Sequence, residues 1–184
     1  MRPPRRPLTA RSSSLGPAST SVLLWFVGTA SLSVWLIFGD PRFDHRLLAL
    51  GAVLPDLVDA PFGQARFAHS VVVAFALLTA VMLVTVGRGR RDVRRRVLAV
   101  PIGVLLHLVW DGSFASTDVF WWPFTGSWGD VEAGSVARGW WNVPLELGGL
   151  AMVAWLGRRC GLGDEARRRR FWTTGQLIET GSAP

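Results

Sequence analysis

Five ionisable residues, Asp56, Asp59, His69, His107 and Asp111, lie in or beside long apolar stretches, and no other feature constrains the chain as strongly. A charged group at bilayer depth is costly, needs partners, and marks a pathway or a site. The chain has three His in all, and two of them fall in these stretches. Carboxylates mixed with imidazoles are also the donor set that a divalent metal such as Zn or Mn takes.

One domain is the expectation for 184 residues. The composition is 49% hydrophobic with a mean hydropathy of +0.30, and the apolar residues come in blocks. Together these favour a polytopic membrane bundle over a soluble core. All twenty basic side chains are Arg, and the isoelectric point is near 11.5. The Arg runs flank apolar segments and lack interleaved aromatics, which argues against a nucleic-acid partner and for a topological signal. The single Cys160 excludes an internal disulfide and a multi-thiolate metal site.

Residues 1–20, rich in Arg, Pro and Ser, read as a disordered cytoplasmic tail. Residues 22–38 form an uncharged run long enough for a first span; a cleaved signal peptide is the competing reading. Residues 47–60 hold Pro55 and two Asp and reach only about 21 Å, so a re-entrant half-helix is expected there. Residues 67–86, 97–110 and 140–157 supply three further spans, and 112–142 read as a Trp-rich interfacial loop. The expected fold is thus an all-α polytopic membrane helix bundle of about four transmembrane helices plus one half-helix. A membrane domain over 21–158 is followed by a polar cytoplasmic tail over 159–184. With both termini cytoplasmic in the inner membrane, sixteen Arg fall inside and four (Arg42, Arg46, Arg66 and Arg138) outside. The candidate site residues fall on the outer side, together with Asp44 and Glu146.

His107 and Asp111 are spaced i, i+4, and Asp56 and Asp59 i, i+3, so each pair shares a helical face. Two ligands from one rigid helix set an angle, and a second helix supplies the rest. The alternative is a hydrogen-bonded polar pair that only ties helices together. In the span assignment His69 and His107 differ in depth by roughly 10 Å, which a tilt or an earlier helix start would absorb. Glu146 is a further ligand, a general base, or the ion-pair partner of Arg138. His45, beside Asp44, reads as solvated; Asp118, Asp130 and Glu132 read as ordinary loop acids.

Four motifs occur in order: Leu54-Pro55-Asp56, Ala68-His69-Ser70, His107-Leu108-Val109-Trp110-Asp111, and Trp121-Trp122-Pro123-Phe124. Over about residues 42–126 the chain resembles the inner-membrane-associated metal-dependent hydrolases once described as LexA-binding. The family's commoner pattern has Pro-Asp-x-Asp-His where this chain has Val58 and Asp59 at the last two places, and His where it has Gln64. Fewer imidazoles make the site richer in oxygen, which brings Mn or Mg in beside Zn.

The reading that follows is a metal-dependent membrane hydrolase working at the outer membrane–water boundary on a phosphoester or ester of a lipid-like substrate. Asp56, Asp59, His69, His107 and Asp111 are the expected ligands, and Asp44 or Glu146 the further ligand or base. Membrane lipid is the expected partner. The alternative is a non-catalytic membrane protein whose Asp/His cluster is structural or conducts an ion.

Overall fold

The computed structural model describes residues 22–40, 42–62, 67–87, 89–115, 117–125 and 139–178, and among them every regular element is helical. In chain order these are α1 (Leu23–Phe38), α2 (His45–Asp59), α3 (Val71–Val84), α4 (Arg91–Val97), α5 (Ala99–Asp111), α6 (Thr117–Phe120), α7 (Asn142–Arg159) and α8 (Glu165–Thr174). Short 3-10 turns lie at Ala60–Phe62, Phe67–His69, Ser113–Ala115 and Gly139–Trp141.

Local chemistry sets the boundaries. Gly39, Gly112 and Gly175 follow α1, α5 and α8 in the left-handed region, where a residue without Cβ ends a helix at little cost. Asp44 caps α2 by accepting from the backbone N–H groups of Arg46 and Leu47, and Ser70 caps α3 by accepting from Val72. α1 has no side-chain cap of its own; Glu146 of α7 accepts from the Leu24 N–H at 3.1 and 3.2 Å instead.

The five longer helices run back and forth between two ends of a bundle. α2 and α5 run the same way in close contact, as do α1 and α7. Both contacts pass through glycine. A Cβ on Gly51 would meet the Val100 carbonyl oxygen at 2.1 Å, and one on Gly103 the Leu48 carbonyl oxygen at 2.4 Å. Gly28 and Gly149 play the same part between α1 and α7. Val22, Phe26, Ala30, Val34, Leu48 and Ala52 form the main apolar core between these pairs.

The helices fall close to the segments expected to span a membrane, but the membrane reading is overturned. No helix among the described residues is long and apolar enough to cross a bilayer. α1, α2, α3 and α5 have 16, 15, 14 and 13 residues, and α7, at 18, contains Glu146, Arg158 and Arg159. At 1.5 Å per residue even α7 reaches only about 27 Å, short of a hydrocarbon core of about 30 Å. The expected third span is shortened because Phe67–His69 is a 3-10 turn and Ser70 restarts the chain as a cap. The expected half-helix is a whole helix, α2, that begins at His45. The polytopic bundle and the multi-pass inner-membrane placement with both termini cytoplasmic fall together.

The sidedness read from Arg falls with them. Arg42 and Arg46, placed opposite the 88–96 segment by the span assignment, lie at the same end as α4: Asp40, just past α1, sits 4.0 Å from Arg95. The segment 159–184, read as a polar tail, holds α8, and residues 175–178 dock on the start of α2. Gly175 O accepts from His45 N at 2.9 Å, and Trp172 O accepts from the Arg46 guanidinium. The reading of residues 1–20 falls outside the described residues, as do Gln64, Arg66, Asp130, Glu132 and Arg138.

His45 is buried, not solvated, at 5% exposure, and its Nδ1 has no hydrogen-bond partner. Burial pushes its pKa down to about 4, against a smaller upward pull from Asp44. The folded value lies below the unfolded value of about 6.5, so the stability His45 contributes is full above that pH and lost as pH falls toward 4. The loss approaches about 3 kcal/mol near pH 4. Denaturant melts at about pH 7 and pH 4.5 are expected to show His45→Gln losing clearly less than wild type; equal losses would mean that His45 is not the titrating group. Gly103→Ala is expected to force α5 off α2 and cost about 1–3 kcal/mol, read from the same melts at neutral pH.

Candidate metal centre

The close approach of α2 and α5 brings the Ala52 carbonyl oxygen 2.7 Å from His107 Nδ1. A carbonyl only accepts, so Nδ1 carries the proton and Nε2 is left as the lone-pair nitrogen when the ring is neutral. The same logic operates at His69, whose Nδ1 lies 2.8 Å from Asp59 Oδ2. Both Nδ1 positions are therefore occupied, and both Nε2 atoms turn toward one point, 3.3 Å apart. Asp56 Oδ1 completes a triangle at 3.5 Å from His69 Nε2 and 3.7 Å from His107 Nε2.

These three side chains form a group that can hold a metal ion, with ligand atoms all within 4.8 Å of one another. At Zn–N distances of about 2.0–2.1 Å, two ligand atoms at a tetrahedral centre stand about 3.3–3.4 Å apart, close to the edges observed. The imidazoles are buried while Asp56 keeps some solvent contact, so the triangle opens on the carboxylate side. Phe26 of α1 covers the His107 ring at a centroid distance of 4.0 Å. Burial pulls the His69 pKa down, but the hydrogen bonds to Asp56 and Asp59 and the charge of Asp111 raise it to about 9. For His107 burial dominates and its pKa is lowered. The two imidazoles thus differ: the carboxylates favour the protonated form of His69, and burial favours the neutral form of His107.

The sequence-derived residues separate into three groups. Asp56, His69 and His107 converge. Asp59 and Asp111 stand behind them: Asp59 orients His69, and Asp111, its Oδ2 accepting from Ser113 Oγ at 2.6 Å, acts by charge on both imidazoles. Neither belongs to the group whose ligand atoms converge. Asp44 and Glu146 are placed elsewhere. Asp44 caps α2 twelve residues before Asp56, about 18 Å along the helix. Burial raises its pKa, but the Arg46 guanidinium and the N–H groups of Leu47 and Arg46 outweigh this and lower it, as befits a cap. Both Glu146 oxygens face the Leu24 N–H. The depth mismatch between the two His disappears because His69 sits on the 3-10 turn before α3, level with the last turn of α5. The Ala52 carbonyl, the Phe26 cover and Ser113 had no signal in the sequence, since a backbone acceptor and a packed ring leave no motif.

No protein-family model, no curated protein and no solved structure matches the chain. The likeness to the metal-dependent hydrolases therefore rests on the four motifs, three of which contribute Asp56, His69 and the pair His107 and Asp111.

Metal analysis of the purified protein is expected to find about one divalent ion per chain, lost in His69→Ala and His107→Ala. Asp59→Asn is expected to weaken metal binding about 10–100-fold without abolishing it, because it loosens a ligand that stays in place. Equal metal content in wild type and all three variants would reject the centre.

Proposed function

We propose that the chain is a metal-dependent hydrolase with a mononuclear centre on His69, His107 and Asp56, acting on phosphoesters or carboxylic esters. The observation that carries this reading is the convergence of two Nε2 atoms and one carboxylate oxygen, with both Nδ1 positions held by other acceptors. Three protein ligands with an open side distinguish a catalytic zinc site from a closed structural one. Two imidazoles and one carboxylate are a ligand set that Zn takes in catalytic sites, which places Zn first in this reading, with Mn beside it. When bound, such a metal supplies an acidified water and a Lewis-acid contact for a carbonyl or phosphoryl oxygen. The motif resemblance points to the same reaction class.

In this reading the chain's own residues divide the work. Asp59 and the Ala52 carbonyl fix the two imidazoles in the tautomer that presents Nε2. Phe26 keeps water from the inner face of His107. Asp111, steadied by Ser113, is the general base, close enough to act by charge on both rings yet not a member of the converging triangle. Asp44 and Glu146 have no part in the chemistry.

A second reading has its own observation. The bonds from His107 to Ala52 and from His69 to Asp59 also tie α5 and the turn before α3 to α2, so the cluster serves as a structural clasp.

Hydrolysis of chromogenic phosphomonoesters, phosphodiesters and carboxylic esters by the metal-loaded protein separates the two. Asp111→Asn is expected to keep its metal and lose about 10²–10⁴ in rate. A metal-loaded wild type that hydrolyses none of the three classes would favour the clasp.

A further inference from the structure

The thirteen Arg of the described residues all lie at one end of the bundle, opposite the metal centre. They flank the start of α2, crowd α4, close α7 and line α8. Three contacts draw these segments together. Arg95 approaches Asp40 past α1, Arg90 donates to the Val84 carbonyl at the end of α3 at 2.9 Å, and Arg46 donates to the Trp172 carbonyl of α8. Only five acids, Asp40, Asp44, Asp92, Asp164 and Glu165, share this end, which leaves it a net charge of +8. The opposite end holds Asp56, Asp59, Asp111, Asp118 and Glu146, and no Arg among the described residues.

Aliphatic side chains stand among these guanidinium groups. Ile37 at the end of α1 is 71% exposed and Val84 at the end of α3 is 70% exposed. Leu83, Val86 and Val93 are exposed beside them, and Trp172 stands out from α8. Bare aliphatic groups gain nothing from a polyphosphate backbone. Basic side chains mixed with aliphatic tips and an exposed Trp do match one kind of partner: phosphate headgroups with an acyl boundary beneath them.

We infer that this basic end docks on the surface of an anionic lipid bilayer, with guanidinium groups at the headgroup phosphates and the tips of Ile37, Leu83, Val84 and Val86 in the acyl boundary. Docking in this way needs no helix to cross. It holds the metal centre at the far end of α2, away from the lipid, and it does not depend on the hydrolase reading.

Flotation of the full chain with vesicles tests it. The chain is expected to float with phosphatidylcholine vesicles containing about 30% phosphatidylglycerol, to float poorly with pure phosphatidylcholine, and to bind less in about 0.5 M than in about 0.1 M salt. Each Arg at an anionic surface contributes roughly a fivefold factor, so combining Arg91→Gln, Arg94→Gln and Arg96→Gln is expected to weaken binding on the order of a hundredfold. Arg95 is left in place to keep its contact with Asp40, and circular dichroism checks that the helices persist. Combining Ile37→Ser with Val84→Ser is expected to weaken vesicle binding roughly tenfold while leaving heparin binding unchanged. Equal flotation with neutral and anionic vesicles, undiminished binding by either combined variant, or tighter binding to a duplex DNA oligonucleotide than to the vesicles would overturn the inference.

Discussion

The contact between α2 and α5 determines where every other functional group stands. Because Gly51 and Gly103 carry no Cβ, two backbones meet where side chains would hold them apart. Only at that separation does the Ala52 carbonyl reach His107 Nδ1 at 2.7 Å. That hydrogen bond selects the tautomer, the tautomer aims Nε2 at Asp56, and Asp56 lies one turn further along the helix that supplies the carbonyl. A side chain wedged at the crossing would lengthen the bond and uncouple the ring from its partner. Helix packing and ligand geometry are here the same constraint.

The direction of the two helices adds an electrostatic consequence. α2 and α5 run the same way, so their C-terminal turns, which contain Asp56, Asp59, His107 and Asp111, lie side by side at the centre. A helix C-terminus carries about half a negative charge from its unsatisfied carbonyls, and two of them favour a cation before any carboxylate is counted. The carboxylates reinforce this. They raise the His69 pKa to about 9 against the opposing effect of burial. His107, with a backbone carbonyl rather than a carboxylate at its Nδ1, has its pKa lowered and keeps its lone pair available.

The sequence made the candidate ligands legible because an ionisable group in an apolar run stands out whatever surrounds it. It also made the helices legible, as uncharged runs bounded by Gly, Asp and Ser. It misled on whether the runs cross a bilayer, since four helices of 13 to 16 residues have the composition of spans without the length. Composition does not record that Ser70 starts α3 four residues into the expected span, or that α5 begins only at Ala99. The division of labour among the acids was equally hidden. Spacing makes Asp56 and Asp59 equivalent, and only the fold shows that one faces the two Nε2 atoms and the other the back of His69. His45 beside Asp44 looked like an interfacial pair, and the docking of residues 175–178 that buries it depends on contacts more than a hundred residues apart.

The clustering of Arg, read from the sequence as a record of membrane sidedness, survives as a separation of charge along the bundle. Arg and aliphatic tips gather at one end, acids and imidazoles at the other, and Asp44 to Asp56 measures about 18 Å between them along α2. The separation bears on how the centre is filled and used. A divalent cation is drawn to the end that holds the acids and repelled from the end that holds the Arg. A phosphoester is drawn the opposite way, and near the centre it meets Asp56, Asp59 and Asp111 before anything that attracts it. Two positive charges at the triangle would offset most of that local charge. In the proposed hydrolase, a bound cation would therefore lower the repulsion that an anionic substrate meets at the acidic end, so the same charges that attract the metal make the site dependent on it.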